Sequence, residues 1–385
     1  MNSKDKPQSD KEGRTPRRES AGLSKHDLPT PSLLVDLDLM DSNIETMGAF
    51  VRSSGLSLRP HVKTHKCGEI ARRQVLAGAV GVCAATLREA EAMAQAGIAG
   101  ILITGEAVGR EKVERLVRLT RRQPDTMSVV DCAAHAEQLS DAARAAGVTL
   151  NVLIDIDPGL HRTGIPAGDG AIALAEQIAG LPGLLLRGLQ CYSADTSHVP
   201  GFEARRAHSE HCMLPAIETF SRLKEIGLPV EIMSGASTGT YNIDAAFQGM
   251  TELQCGSYVF MDVDYRKIGG RGGPEYEDFA QCLTVLATVI SRNHPRMATV
   301  DAGFKAFATD RPFGPVLKGI SGVTYRFGGD EHGMLELEDP SRDIRLGDRL
   351  EFVIPHCDPT VNLHDRLYGL RGERVEAVWP IARGY

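Results

Sequence analysis

The chain has 385 residues, 42% of them apolar, and a formal net charge of −7. This length and apolar content suffice for one large domain and a smaller one, and the negative charge gives no sign of a nucleic-acid partner. No apolar run approaches the roughly 20 residues needed to span a bilayer. The eight cysteines form no C-x-x-C pair and follow no apolar signal peptide, which predicts free thiols in a reducing cytoplasm.

Residues 1–28 differ in composition from the rest of the chain. They are rich in proline, serine and lysine, mix both charges and lack an apolar pattern, which predicts a disordered tail. A transit peptide is disfavoured because acidic residues such as Asp5 and Asp10 interrupt the basic ones.

From Ser32 onward, short apolar runs alternate with helical patterns. SLLVDLDLM predicts a strand, and DSNIETMGAFVRS predicts a helix with Asp41 or Ser42 as its N-cap. Further strands are predicted near residues 57–63, 80–84, 100–104, 127–131, 149–156, 185–191, 229–234 and 252–259. Ala-rich stretches predict helices at residues 86–97, 109–122, 133–146, 169–181 and 203–226.

This alternation is typical of parallel α/β folds. The later strands are apolar on both faces, as strands buried in a parallel sheet are. About eight strands alternating with helices over roughly 210 residues predict a (β/α)8 barrel of the TIM type. A doubly wound open sheet shares the alternation, but no G-x-G-x-x-G follows an early strand, so we favour a barrel over residues 29–265.

The pattern changes again after about Val263. GGRGG, residues 269–273, is followed by short β-like runs that predict a mostly β domain over residues 266–385. The first strand, residues 33–37, precedes the barrel repeat and is expected either to open the barrel or to join this β domain.

Polar residues collect where the barrel strands are predicted to end, which is where barrels carry their chemistry. The first strand leads into RPHVKTHK with Lys63, and the fifth leads into DIDPGLHRTG with Arg162. The sixth ends at Gln190 and Tyr192, and His198 follows in the next loop. We therefore predict that these side chains gather at one rim.

The seventh and eighth strands end in glycine and hydroxyl residues. They are Gly235, Ser237, Thr238, Gly239 and Thr240 in SGASTGT, and Gly256 and Ser257 on the neighbouring strand. Loops after these strands are the usual phosphate site of the fold, and glycine lets the backbone approach a ligand closely. An ordinary turn is the alternative, and the position in the barrel favours the phosphate site.

An amine together with a phosphate site favours pyridoxal phosphate, which needs a lysine for its Schiff base and an anchor for its phosphate. Lys63 is the predicted amine, and plain surface charge is the alternative. Its basic or potentially basic neighbours are expected to depress its pKa and make it a better base or nucleophile. These neighbours are Arg59, His61, His65 and Lys66.

A second cluster, PHCDPTVNLHD, occupies residues 355–365. His356 and Asp358 are two residues apart, so in a strand they would face the same side. One imidazole and one carboxylate suit a divalent cation and leave coordination positions open for water or a substrate hydroxyl. A hydrogen-bonding pair at a strand end is the alternative.

Eight short segments of this sequence occur in the same order in one known family. RPHVKTHK, DPGLHRTG, GLQCYSADTSH, SGASTGT, ELQCGSYVFMD, VDAGFKA, DEHG and PHCDPTVNLHD resemble the D-threonine aldolase and D-serine dehydratase family from about Thr30 to the C-terminus. The resemblance implies an alanine-racemase-like fold, in which a fold type III pyridoxal-phosphate barrel carries an appended β domain. It also implies a homodimer, because two subunits usually build each site in this fold.

The resemblance also assigns roles to individual residues. Lys63 matches the Schiff-base lysine, Arg162 the arginine that faces the phenolic oxygen of the cofactor, and Tyr192 the residue beside the pyridine ring. The implied cofactor-binding set is Lys63, Arg162, Gln190, Tyr192, Ser237, Thr238, Gly239, Thr240, Gly256, Ser257 and Tyr258. His198 matches a histidine near the substrate hydroxyl, and His356 and Asp358 match the metal ligands.

Position 358 distinguishes two branches of that family, because dehydratases usually carry cysteine where this chain has Asp358. The carboxylate resembles the aldolase branch and implies cleavage of a β-hydroxy-D-amino acid, of the D-threonine or 3-hydroxy-D-aspartate type, into glycine and an aldehyde. The implied cofactors are pyridoxal phosphate and a divalent metal, Mn²⁺ in preference to Mg²⁺, Co²⁺ or Zn²⁺. A D-serine or 3-hydroxy-D-aspartate dehydratase on the same site is the alternative.

Overall fold

The computed structural model describes residues 21–384. Most of the tail predicted over residues 1–28 therefore lies outside the described residues. The prediction of disorder is wrong for residues 21–28, which pack against the C-terminal part of the chain. The Gly22 N–H donates to the Val375 carbonyl oxygen at 2.8 Å, and Leu28 is buried among apolar side chains of that region.

Within the described residues, eight parallel strands form a barrel. The strands of this part of the chain are β1 (Ser32–Asp36), β2 (Ser57–Leu58), β3 (Val82–Ala84), β4 (Ile101–Ile103), β5 (Met127–Val130), β6 (Leu150–Asp157), β7 (Ile165–Pro166), β8 (Leu184–Cys191), β9 (Ile232–Gly235) and β10 (Glu252–Leu253). The order β2–β10–β9–β8–β6–β5–β4–β3 is closed by a parallel bridge between His61 and Cys83, and β7 pairs with β6. The predicted (β/α)8 barrel is confirmed.

Helices alternate with the barrel strands. They are α1 (Leu37–Ser54), α2 (Gly68–Leu76), α3 (Leu87–Gln95), α4 (Arg110–Arg122), α5 (Ala133–Ala146), α6 (Asp169–Gly180), α7 (Phe202–Glu225), α8 (Tyr241–Asp244), α9 (Val263–Lys267) and, in the β domain, α10 (Cys357–Leu363). None of these helices, which come from residues 21–384, is long and apolar enough to cross a membrane.

Helix α1 begins earlier than predicted, because its N-cap is Asp36 and not Asp41 or Ser42. The Asp36 carboxylate accepts hydrogen bonds from the backbone N–H groups of Asp38 at 3.0 Å and Leu39 at 3.1 Å. A carboxylate that satisfies two free N–H groups stabilises a helix start. The cap therefore ends β1 four residues before the predicted strand would have ended.

A second sheet forms the mostly β domain that the sequence predicted. Its further strands are β11 (Leu283–His294), β12 (Met297–Val300), β13 (Val316–Leu317), β14 (Val323–Phe327), β15 (Gly333–Leu337), β16 (Arg349–Val353), β17 (Arg366–Arg371) and β18 (Arg374–Pro380). The main order is β14–β15–β12–β11–β1–β17–β18, with β16 paired to β11 and β13 paired to β16. β1 runs antiparallel to β11 and parallel to β17, so the first strand joins this domain.

Gly188 lies where β8 and β9 approach each other closely. A Cβ atom there would lie 1.8 Å from the carbonyl oxygen of Ile232 on the paired strand. We expect Gly188→Ala to lower the free energy of unfolding by roughly 3 kcal/mol, because the strands must separate to admit a methyl group. Gly180 is the matched control, since a Cβ there meets no atom within 4 Å, and its alanine variant should stay within about 0.5 kcal/mol of the wild type. Urea denaturation measures the free energy of unfolding of both variants. If the two variants were equally stable, this explanation of Gly188 would be refuted.

Candidate active site

Lys63 lies in a 3-10 turn, Val62–Thr64, that follows the first barrel strand. The ring of His61 fixes this turn by accepting a hydrogen bond from the Lys63 backbone N–H at 3.3 Å. Gly256, beyond the eighth barrel strand, packs so closely that a Cβ there would lie 2.8 Å from both the His61 carbonyl oxygen and Thr64 Oγ1. The absence of a side chain at position 256 therefore lets the lysine turn rest against the neighbouring loop.

The Lys63 ammonium donates a hydrogen bond to Asp358 Oδ2, so a barrel side chain meets one from the β domain. Burial alone would lower the pKa of Lys63, but the Asp358 carboxylate outweighs burial and the pKa is raised. Burial would likewise raise the pKa of Asp358, but Lys63 outweighs it and the pKa is lowered. Both groups are therefore charged at neutral pH.

The expectation that basic neighbours depress the pKa of Lys63 is wrong, because two of these neighbours are neutral and a third is paired. Burial and the Lys63 charge lower the pKa of His61 to about 3. Burial lowers the pKa of His65 to about 4, so both rings are neutral at pH 7. Arg59 forms a buried ion pair with Glu252, in which Nη2 and Oε2 are 2.8 Å apart.

A cavity of about 740 Å³ opens beside Lys63 at this end of the barrel. The predicted site residues that line it are Lys63, Arg162, Gln190, Tyr192, His198 and His356. Arg162 lies over the ring of Tyr192, with Cζ 5.6 Å from the ring centroid. Side chains from three barrel strands and from the β domain thus share one cavity.

The residues predicted to hold a phosphate, 237–240 and 256–258, are buried, and none of them lines the described cavity. Thr238 Oγ1 accepts a hydrogen bond from the Tyr258 N–H at 2.9 Å, which ties the two loops together. The Tyr258 hydroxyl accepts one from Gln74 Nε2 at 3.0 Å, so this phenol is held in the protein interior. The phosphate role of both loops stays a prediction.

Arg205, on α7, joins three segments around the site. Its side chain is fully buried and donates to backbone carbonyl oxygens only, among residues 21–384. Nε donates to Gly239 at 2.7 Å, Nη1 to Val199 at 2.8 Å and to Ile268 at 3.1 Å, and Nη2 to Gly269 at 2.8 Å. The loop after His198, the 237–240 loop and the segment that leads to the β domain are therefore bound to one guanidinium.

Three imidazoles line the cavity, and two of them, His198 and His356, lie beside a carboxylate. His198 Nδ1 lies 3.0 Å from Asp264 Oδ2, and His356 Nδ1 lies 2.7 Å from Asp310 Oδ2. Arg311 donates from Nε to Asp264 Oδ2 at 2.6 Å, and its Nη1 lies 3.3 Å from Asp310 Oδ2. Burial would raise the pKa of Asp264, but His198 and Arg311 outweigh burial and lower it. An ionised Asp264 beside Nδ1 would stabilise a positive charge on the His198 ring, although the two atoms make no hydrogen bond of standard geometry within residues 21–384.

Several cavity residues were missed by the sequence prediction. They include Thr104, Glu106, Gln254, Asp264 and Arg311. Thr104, Glu106 and Gln254 lie just beyond β4 and β10, so the rule that barrels carry chemistry at strand ends would have found them. Arg311 comes from a loop of the β domain, and no local pattern marks it.

His356 and Asp358 begin helix α10, so the prediction that they share one face of a strand is wrong. His356 is the N-cap and Asp358 lies in the first turn. Asp358 Oδ1 is buried and has no hydrogen-bond partner among residues 21–384, and such an oxygen suits a hard cation. These residues contain no group of three or more His, Cys, Asp or Glu side chains placed for a metal. The metal role of His356 and Asp358 therefore stays a prediction.

Two sequence families together cover most of the chain. The profile of the alanine racemase N-terminal domain matches residues 35–264, and that of the serine dehydratase domain matches residues 282–370. Fold and site thus define a barrel enzyme of the alanine-racemase type with a dehydratase-type β domain. The chain is 36% identical over 367 residues to the 3-hydroxy-D-aspartate aldolase of Paracoccus denitrificans (strain Pd 1222), a match that covers 94% of each chain.

Solved structures agree with these matches. The D-threonine aldolase from Filomicrobium marinum has a TM-score of 0.90 and 40% identity, over 94% of this chain and 98% of that one. The D-threo-3-hydroxyaspartate dehydratase from Delftia sp. HT23 has a TM-score of 0.85 and 30% identity, over 94% of this chain and 100% of that one. A mutant of a D-threo-3-hydroxyaspartate dehydratase has been solved in a metal-free form. The chain belongs to the D-threonine aldolase and D-serine dehydratase family, as its motifs predicted.

Proposed function

We propose that this protein is a lyase that uses pyridoxal phosphate and a divalent metal to cleave a β-hydroxy-D-amino acid into glycine and an aldehyde. The observation that carries the proposal is that Lys63, from the barrel, contacts Asp358 of the β domain and lines one cavity together with His356 of the same domain. Relatives named as aldolases that act on 3-hydroxy-D-aspartate and D-threonine support it.

The cofactor fits the residues on one side of the cavity. Lys63 would hold pyridoxal phosphate covalently, with Arg162, Gln190 and Tyr192 around its ring and the 237–240 and 256–258 loops near its phosphate. A cavity of about 740 Å³ is within the usual range for a small-molecule site. When bound, pyridoxal phosphate supplies an electron sink for the bonds at Cα of an amino acid.

The metal fits the residues on the side of the β domain. His356 and Asp358 would hold a divalent cation, Mn²⁺ in preference to Mg²⁺, Co²⁺ or Zn²⁺, and a cation there lowers the pKa of a bound hydroxyl. Asp310, 2.7 Å from His356 Nδ1, orients this ring so that Nε2 faces away from the carboxylate. The unpartnered Asp358 Oδ1 supports the same assignment.

The side chains of this protein would then orient the substrate and move one proton. His198 takes the proton of the β-hydroxyl at Nε2, while Asp264, 3.0 Å from Nδ1, stabilises the charged ring. As that proton leaves, the carbon–oxygen bond becomes the carbonyl of the aldehyde and the Cα–Cβ bond breaks. The electron pair stays on the Cα side, and a proton returned to Cα gives glycine.

Product analysis distinguishes this proposal from its alternative. The holoenzyme, incubated with Mn²⁺ and either D-threonine or 3-hydroxy-D-aspartate, should release glycine and an aldehyde. A dehydratase on the same site would instead release ammonia and a keto acid from a β-hydroxy-D-amino acid. The aldolase relatives favour the first outcome, and ammonia without glycine would overturn it.

The proposal extends to a homodimer in the cytoplasm. The dimer rests on resemblance to the family, in which two subunits usually build each site. All eight cysteines are free thiols, which agrees with a reducing compartment. Light scattering during gel filtration measures the mass of the assembly.

A further inference from the structure

Arg311 is a cation of the β domain that contacts the carboxylate partners of two histidines of the cavity, His198 and His356. Its Nε donates to Asp264 Oδ2 at 2.6 Å, and its Nη1 lies 3.3 Å from Asp310 Oδ2. These two carboxylates are the partners of His198 and His356. One guanidinium therefore touches the carboxylate beside each imidazole.

The free end of this guanidinium is available to a ligand. Among residues 21–384, Arg311 Nη2 makes no hydrogen bond, and the side chain lines the cavity with 25% of its surface exposed. A guanidinium is a rigid planar fork of five N–H donors, so the two contacts at Nε and Nη1 fix the direction of the others. A fork held in this way matches the two oxygens of a carboxylate.

The proposed function, on which this inference rests, indicates which carboxylate Arg311 would meet. In that mechanism His198 and His356 act on the hydroxyl of the β-carbon, and the amino group of the substrate is bound on the Lys63 side. The remaining substituent of the β-carbon is attached to the same atom as the hydroxyl. It is therefore held within two bonds of the hydroxyl oxygen on which the two histidines act, and Arg311 contacts the carboxylate partner of each of these histidines. The α-carboxylate is attached one carbon further away.

The other cationic groups of the cavity have roles in the proposed function. Arg162, which lies over the ring of Tyr192, would face the phenolic oxygen of the cofactor, and Lys63, which contacts Asp358, would bind the cofactor covalently. His61 is neutral at pH 7, because burial and Lys63 lower its pKa to about 3. Arg311 thus combines permanent charge with donors that remain free beside the reacting carbon.

We propose that Arg311 is a specificity-determining residue that binds a carboxylate on the β-carbon of the substrate. The preferred substrate class is then a 3-hydroxy-D-aspartate rather than a β-hydroxy-D-amino acid with a methyl group, such as D-threonine. A site built to pair a polar group discriminates strongly against a substrate that lacks that group, because its own donors are left unpaired.

The test compares kcat/KM for 3-hydroxy-D-aspartate and for D-threonine in the wild-type holoenzyme and in Arg311→Met. We expect the wild type to prefer the dicarboxylate by about 10-fold or more. Arg311→Met should lower the ratio of kcat/KM for the dicarboxylate to kcat/KM for D-threonine by about 10²-fold, because losing the contacts to Asp264 and Asp310 lowers both values together, whereas losing the contact to the substrate carboxylate lowers only the first. Arg311→Lys keeps the positive charge but loses the planar fork of donors, so its kcat/KM for the dicarboxylate should lie between the values of the wild type and of Arg311→Met.

Arg345 provides the matched control, because it is an exposed arginine paired with Asp343 at 2.9 Å. Arg345→Met should leave both kcat/KM values unchanged. A purely structural role of Arg311, acting through Asp264 and Asp310, would lower kcat/KM equally for both substrates, so equal losses would overturn the inference. A wild-type enzyme that prefers D-threonine would also overturn it. Glycine from neither substrate would instead overturn the proposed function.

Discussion

Replacing Lys63 by alanine is expected to abolish the visible absorbance of the holoenzyme and to lower turnover by about 10³-fold or more. Lys63 lines the cavity and reaches Asp358, so its amine is placed to bind an aldehyde cofactor covalently. Absorbance spectra, recorded after incubation with pyridoxal phosphate and dialysis, measure the first effect. The rate of glycine release measures the second.

Lys305→Ala is the control for this experiment. Lys305 is exposed and pairs with Glu331 at 2.5 Å, so both the absorbance and the turnover should match the wild type. Circular dichroism shows whether the Lys63 variant keeps its fold. A folded Lys63→Ala protein with full absorbance and turnover would end the assignment of this residue.

Removing the metal is expected to stop cleavage while the visible absorbance remains. The proposed cation would be held by His356 and Asp358, whereas the cofactor would be held by Lys63. A chelator should therefore remove the metal and leave the cofactor bound. Asp358→Asn should weaken Mn²⁺ binding by at least about 10²-fold, since losing even the hydrogen-bond partner of a ligand costs 10–100-fold. Titration calorimetry measures that affinity without reference to turnover.

Asp365→Asn is the matched control for the metal. Asp365 follows the same helix but is exposed and pairs with Arg366 at 2.8 Å, so Mn²⁺ affinity should not change. Cleavage that continues at full rate after exhaustive chelation, with no metal left by elemental analysis, would exclude a metal from the reaction.

The sequence predicted the barrel because each strand and helix carries its own local pattern. The prediction was less accurate at element ends, where one capping side chain decides the boundary. SLLVDLDLM is mostly apolar, and its pattern alone cannot tell a buried strand from the start of a helix. The carboxylate of Asp36 decides it, because it accepts hydrogen bonds from two N–H groups that follow.

The lysine and the two histidines were predictable, because strand ends and the H-x-D motif mark them. Their charged partners were not, since Asp264, Asp310 and Arg311 meet those residues only through the tertiary fold. The pKa of Lys63 was predicted with the wrong sign for the same reason. The ionisable neighbours of Lys63 in the sequence are all basic, but the charged group that raises its pKa most is Asp358, 295 residues away along the chain.

The buried guanidinium of Arg205 links three segments of the molecule that are far apart in the sequence. Its acceptors, from Val199 to Gly269, belong to three segments, and withdrawing any of them would leave a donor of an enclosed cation unsatisfied. The loop of the proposed base, the hydroxyl-rich loop and the passage into the β domain therefore form a single cooperative unit. A motion that separates any one of these segments from the others would therefore have to break hydrogen bonds of Arg205.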